Sequence, residues 1–166
     1  MISRLRKAFV LLVITLVASA DIYAEWQFPA APSIKTVTMG SPASLVLEKL
    51  GPPLRIVSVP PSEMGRPASQ DFHYRGIIIG AYRSPDEKES HVWSVQVDGK
   101  EVVIYPGISI GMSRHELITL LGTPDSDEKR EDGQWLFWTT PEPIEIFYVK
   151  LRNDRVIEFV MMEDWS

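Results

Sequence analysis

The 166-residue sequence contains no cysteine. That excludes a disulfide framework, a thiolate nucleophile or metal site, and a lipid-modified cysteine behind a leader. Histidine is scarce as well. His73, His91 and His115 are the only three, and they fall on an expected strand, at the start of another, and in the first turn of an expected helix. No two stand at metal-ligand spacing on one helix face, and His115 reads as a surface residue of a capped turn. A Gly-x-Ser-x-Gly elbow and a phosphate-binding glycine loop are both missing. Asp125, Asp127 and Glu128 are followed by Lys129 and Arg130 and read as a solvated turn, lacking the alternating ligands and central glycine of a calcium loop. The expectation is a non-enzyme with no cofactor and no metal site.

Long hydrophobic runs are also absent. The longest uncharged apolar stretch, Ala8–Ala20, is thirteen residues, whereas a membrane-spanning helix takes about 20. Arg4, Arg6 and Lys7 precede it, and Asp21 and Glu25 follow. Basic head, short apolar middle and acidic exit make residues 1–20 a cleavable secretory signal peptide. Cleavage is expected after Ala20 of Ala18-Ser19-Ala20, with the junction after Ala24 as the alternative. Residues 1–20 carry three basic side chains and no acid, so their removal moves the net charge from −5 to −8. So acidic a surface repels phosphate backbones and anionic lipid heads. Nucleic acid is excluded as a partner, no stable membrane anchor is expected after signal cleavage, and the mature chain is expected to be periplasmic or secreted.

What the remaining chain does contain is a duplication. Gly40-Ser41-Pro42-Ala43-Ser44-Leu45-Val46-Leu47-Glu48-Lys49-Leu50-Gly51-Pro52-Pro53 aligns without a gap on Gly111-Met112-Ser113-Arg114-His115-Glu116-Leu117-Ile118-Thr119-Leu120-Leu121-Gly122-Thr123-Pro124, 71 residues later. Val37-Thr38-Met39 and Ile108-Ser109-Ile110 lead into the two copies. Ser113 with Glu116 forms a capping box, Ser41 reads as a cap with Pro42 in the first helical position, and Gly51 and Gly122 end helices that the following prolines keep from resuming. Helices of about nine residues need tertiary packing. Strands are expected at Asp71–Arg75, Ile77–Tyr82, His91–Val97 and Lys100–Ile104, and again at Gln134–Thr139, Ile144–Leu151 and Val156–Met161, the last two joined at Asn153-Asp154. The fold class is therefore expected to be α+β: two tandem repeats at 34–104 and 105–166, each a short helical segment packed on an antiparallel sheet, after a linker at 21–33.

The pattern Gly-Met-Ser-x-x-Glu-Leu-x-x-x-Leu-Gly-x-Pro at 111–124, followed by Trp135-Leu136-Phe137-Trp138 and a hairpin ending in Val156-Ile157, resembles the SmpA/OmlA family of small outer-membrane lipoproteins. Two such units in one exported chain are similar to the β-lactamase inhibitory protein (BLIP-like) family, whose tandem domains form a saddle that grips an enzyme. The resemblance spans residues 34–166. It departs from the first family in lacking the acylated cysteine and from the second in lacking disulfides, so fold is the property it implies most directly.

Aromatic residues point to binding. Five tryptophans and five tyrosines exceed what two thin cores need, and interfaces favour such side chains. A sheet covered by helices on one face leaves the other open. On Ile144–Leu151, alternation puts Ile144, Ile146, Tyr148 and Lys150 on one face and Glu145, Phe147, Val149 and Leu151 on the other; the family resemblance implies that the second set packs on the helix, leaving Tyr148 and Lys150 outside. Either Trp135 with Phe137 or Leu136 with Trp138 shares that outer face. Phe72, Tyr74, Tyr82 and Trp93 are the counterparts in the first copy. The candidate protein-binding residues are thus Phe72, Tyr74, Tyr82, Trp93, Trp135, Phe137, Trp138, Tyr148 and Lys150. The expected function is an exported, non-enzymatic protein-binding module, an inhibitor or immunity-type protein for another envelope or secreted protein. The alternative is a soluble envelope assembly or maintenance factor acting as a scaffold.

Overall fold

A computed structural model describes residues 33–61, 67–104, 107–139 and 145–163. The expected signal peptide, the linker up to residue 32, and Ile144 lie outside the described residues. The elements run α1 (Ala43–Leu50), β1 (Arg55–Val59), β2 (Ser69–Tyr74), β3 (Ile77–Tyr82), β4 (His91–Val97), β5 (Val103–Ile104), β6 (Ile108–Ser109), α2 (Arg114–Leu121), β7 (Ser126–Arg130), β8 (Gly133–Thr139), β9 (Glu145–Arg152) and β10 (Arg155–Glu163).

The two helices end alike and begin differently. Gly51 and Gly122, both at positive φ, return their amides to the carbonyls of Leu47 and Ile118, the conformation that costs glycine least. At the start of α2, Ser113 Oγ accepts from Glu116 N (3.2 Å) while the Glu116 carboxylate accepts from Ser113 N (2.8 Å), a complete capping box. At α1 the cap position is Pro42, which has no side-chain cap bond. Ser41, expected there, instead accepts from Thr38 N at 3.0 Å and is itself buried. The first turn of α1 is capped from a distance, Ser44 N donating to Glu89 Oε1 at 2.9 Å. A remote carboxylate thus fills the role the local sequence assigns to serine, because Pro42 brings no side-chain oxygen to the cap.

Eight strands form one antiparallel sheet in the order β1-β2-β3-β4-β10-β9-β8-β7, and β5 and β6 form a small ribbon. Two tandem helix-on-sheet repeats were the expectation, and this architecture overturns it. The β4 and β10 strands pair through Val97↔Phe159, Gln96↔Val160, Val95↔Met161 and Ser94↔Met162, so strands from both ends of the chain merge into one large sheet served by only two helices among the described residues. Pairing removes two edges that separate sheets would each have had to protect. The turn Asn153-Asp154, with φ of 51° and 60°, closes the β9–β10 hairpin in the doubly positive form that matches strand twist.

The core occupies one face of the sheet. Ile77, Ile79 and Ala81 of β3, Val92, Val95 and Val97 of β4, Leu136 and Trp138 of β8, Phe147, Val149 and Leu151 of β9, and Val156, Phe159 and Met161 of β10 form one cluster with Val46 of α1 and Leu117 and Leu121 of α2. Each helix is also tied to the sheet by a polar contact at its end: Tyr74 Oη donates to Gly51 O (3.0 Å) and Trp138 Nε1 to Gly122 O (3.3 Å). Two strands were not expected. Arg55–Val59 and Ser126–Arg130 form the two edges, and the latter turns the supposed solvated loop of Asp127 and Glu128 into a strand paired with β8.

Candidate functional site

Residues opposite one another across a sheet share a face, so the register defines the surface turned away from the helices. One transverse row there runs Arg55, His73, Ile78, Gln96, Val160, Tyr148, Phe137 and Ser126, crossing all eight strands. A second contains Val57, Asp71, Gly80, Ser94, Met162, Ile146 and Thr139. Trp135 faces Lys150 on the same side, next to Glu128. Ile78, Ile146, Tyr148, Val160 and Met162 are half-buried, although no described helix lies over them. Gln96 Nε2 donates to Glu158 Oε1 at 2.8 Å, fastening the β4–β10 junction on this face.

The β7–β9 end carries a built aromatic and charged cluster. Phe137 and Tyr148 meet edge to face, centroids 5.0 Å apart at 80°. Arg130 lies over both Trp135 and Phe137, at 5.4 and 5.3 Å from the ring centres, and Lys150 Nζ stands 4.9 Å from the Trp135 ring. Each cation is also held by an acid. Glu128 accepts from Arg130 at 2.7 Å; Asp132 accepts from Lys150 Nζ and from Trp135 Nε1. Those bonds, the lysine's first and the indole's second, hold the Asp132 carboxyl below the ordinary aspartate range. The cluster is therefore close to charge-balanced and rigidly oriented, with aromatic area fixed by cation–π contact and hydrogen bonds.

The other sequence-predicted residues separate cleanly. Tyr82 is half-buried on the open face, opposite Ser69. Burial and the nearby Glu163 charge raise its phenol above the usual range. Trp93 is the extra residue of a β-bulge, since Gly80 pairs with Ser94 and Ala81 with Val92. A Cβ on Gly80 would lie 2.8 Å from Trp93 Nε1, so the indole rests on that glycine and is only 7% exposed. Phe72, Tyr74 and Trp138 are on the helix side: Phe72 and Trp138 are buried in the core and Tyr74 packs against it. Phe72 and Trp138 are corrected from surface to core residues and Tyr74 to the helix-side face, because their strand partners Ile79, Phe147 and Ile77 all face the helices. Sequence reasoning passed over Arg130, Asp132 and Glu128. The signal available was the turn Glu131-Asp132-Gly133 between two charged and aromatic runs, which brings the three beside Trp135.

The histidines lie on separate elements. His73 Nδ1 is 3.5 Å from Arg55 on the open face, His91 Nδ1 is 3.3 Å from Glu87 Oε2, and His115 is exposed on α2. Among the described residues no group of three His, Cys, Asp or Glu could hold a metal ion, and no helix is long and apolar enough to cross a membrane.

No family model and no curated protein matches the chain. Solved structures similar to it include the following two. One is an extracellular protein containing an SCP domain from Bacillus anthracis, with a TM-score of 0.53 and 17% identity over 76% of this chain and 44% of that one. The other is a cysteine-rich secretory protein from Staphylococcus aureus, with a TM-score of 0.49 and 14% identity over 81% of this chain and 48% of that one. The chain thus spans under half the length of either, and at such identity the first likeness is one of fold alone. The resemblance to the SmpA/OmlA family and to a BLIP-like tandem saddle is not upheld: the strands form one sheet, and the Bacillus anthracis structure that shares the fold is of another kind.

Proposed function

We propose that this chain is an exported, non-enzymatic module that binds another protein of the envelope or the extracellular space through the open face of its sheet. The observation that carries the reading is the Trp135 cluster. A large aromatic side chain held between Arg130 and Lys150 beside an edge-to-face Phe137–Tyr148 pair supplies the residue types that dominate binding energy at protein interfaces, pre-oriented so that little side-chain freedom is lost on association. Ile146, Val160 and Met162 continue that surface as apolar neighbours, and the charged rim of Glu128, Arg130, Asp132 and Lys150 suits the polar border of such a patch. Export is supported by the basic, apolar and acidic order of residues 1–25, and the similar Bacillus anthracis protein is itself extracellular by its description.

Affinity capture tests the reading. The purified protein is immobilised and exposed to an envelope or culture-supernatant fraction of the source cell, beside the Trp135→Ala and Tyr148→Ala variants. A retained protein whose binding falls by about 2 kcal/mol or more in either variant is the expected result. Retention of nothing, or of a partner indifferent to both substitutions while both variants unfold like the parent, overturns it.

A further inference from the structure

The two edges of the sheet are built to opposite rules. Ser126-Asp127-Glu128-Lys129-Arg130 is charged at four of its five positions, and its acids are engaged: Asp127 by Arg114 and Gln134, Glu128 by Arg130. Charge of this kind guards an edge against a further strand. The β1 edge, Arg55-Ile56-Val57-Ser58-Val59, has no acid and one base, and Arg55 reaches back over the sheet to His73 rather than outward. Leu54, Ile56 and Val57 are 78%, 52% and 38% exposed, three of the five exposed large hydrophobics among the described residues. Pro52-Pro53 and Pro60-Pro61 bound the stretch on both sides, and since proline cannot donate to a ladder, they limit pairing to Leu54–Val59.

We infer that β1 is a self-association edge and that its occupant is β1 of a second copy of this chain, paired antiparallel about a two-fold axis perpendicular to the sheet. Three features select a second copy. The window is self-complementary: with Ile56 opposite Ile56 of the other copy, or Val57 opposite Val57, apolar residues meet across the axis and the two Arg55 side chains are not directly opposed. The proline pairs set the same window in both copies. Above all, the pairing closes. It uses both unguarded edges and leaves a charged β7 at each end, whereas β1 on β7 of the next molecule would be an open, filament-forming contact that the β7 charges oppose. The two open faces would then lie side by side on one continuous sheet. Six residues at about 3.4 Å each make a contact of about 20 Å, so the dimer belongs to the weak, concentration-dependent class.

Light scattering and sedimentation of the purified full-length exported protein over a concentration series read the association directly. Ile56→Lys and Ile56→Glu should each weaken it about tenfold or more, and an equimolar mixture of the two should restore it, which no general loss of stability would do. The absence of native cysteine allows a second measurement: Ile56→Cys or Val57→Cys should form a disulfide-linked dimer on mild oxidation, while Glu128→Cys on the guarded edge should not. A protein that stays monomeric at every concentration, a dimer indifferent to both charged variants, or failure of both β1 cysteines to cross-link overturns the inference.

Discussion

Ser113 and Glu89 serve the same purpose at the starts of the two helices, satisfying amides that no intrahelical carbonyl can reach. Ser113→Ala should therefore cost about 1 kcal/mol in denaturant unfolding, and it should also change the acid dependence. Hydrogen bonds from Ser113 hold the Glu116 carboxyl below its ordinary range. A depressed carboxylate contributes stability that is present above the unfolded pKa of about 4.3 and is lost as pH falls through the folded value. Unfolding curves of the parent should steepen in their pH dependence over that acid window, and those of the Ser113→Ala variant should be flatter. Glu163 has the opposite sign. Burial first, and the Glu87 charge second, push its carboxyl up, against a smaller opposing effect of His91. The folded state then binds more protons than the unfolded one between the ordinary and the raised value, so stability falls as pH rises through that window and stays lower above it. Glu163→Gln removes the penalty, and its melting temperature should exceed the parent's at pH near 7 by more than at pH near 4. Equal gains at both pH values would refute the assignment.

Among the elements, the inner strands of the first half were the legible ones. Ile77–Tyr82 and His91–Val97 have the bounds expected of them, because both are rich in β-branched and aromatic residues and are bounded by turn residues such as Gly76 and Asp98-Gly99. The two edge strands were illegible: β7 is exposed at four of its five positions and β1 is enclosed by prolines, so neither shows the alternation that one buried face imposes. The face of β8 was undecidable from Trp135-Leu136-Phe137-Trp138 alone, where every residue is apolar. Only the pairing of β8 with β9, in which Trp138 stands opposite Phe147, sends Leu136 and Trp138 inward. Remote capping of α1 by Glu89, 45 residues from Ser44, left no local trace at all. One element-scale device is open to a direct check. Gly80 lets the Trp93 bulge lie flat, and a Cβ there would stand 2.3 Å from Ser94 Oγ. Gly80→Ala should therefore cost about 1–3 kcal/mol as an overpacking change and shift the emission of Trp93 by displacing its indole; an unchanged stability and spectrum would show that the bulge has slack.

At the scale of the whole molecule, the β4–β10 pair decides how the sheet behaves, because among the described residues it is the one strand pairing that joins the β1–β4 half to the β7–β10 half. It is reinforced on both faces, by Val95 and Val97 against Phe159 and Met161 in the core and by Gln96 with Glu158 on the open side. All these core residues belong to a single cluster that also takes in Val46 of α1 and Leu117 of α2. A sheet with one shared core should unfold as one cooperative unit. Phe159→Ala tests that at the seam: Phe159 is fully buried against Phe147 at a ring separation of 6.0 Å, so the substitution should cost about 3–5 kcal/mol. The distribution of the loss matters more than its size. Hydrogen-exchange protection should fall together in β2–β3 and in β8–β9, although Phe159 touches the strand register of only β4 and β9. If β8–β9 lost protection while β2–β3 kept its own, the halves would be independent folding units held edge to edge, and the open face they share would have no fixed geometry on which to seat a partner.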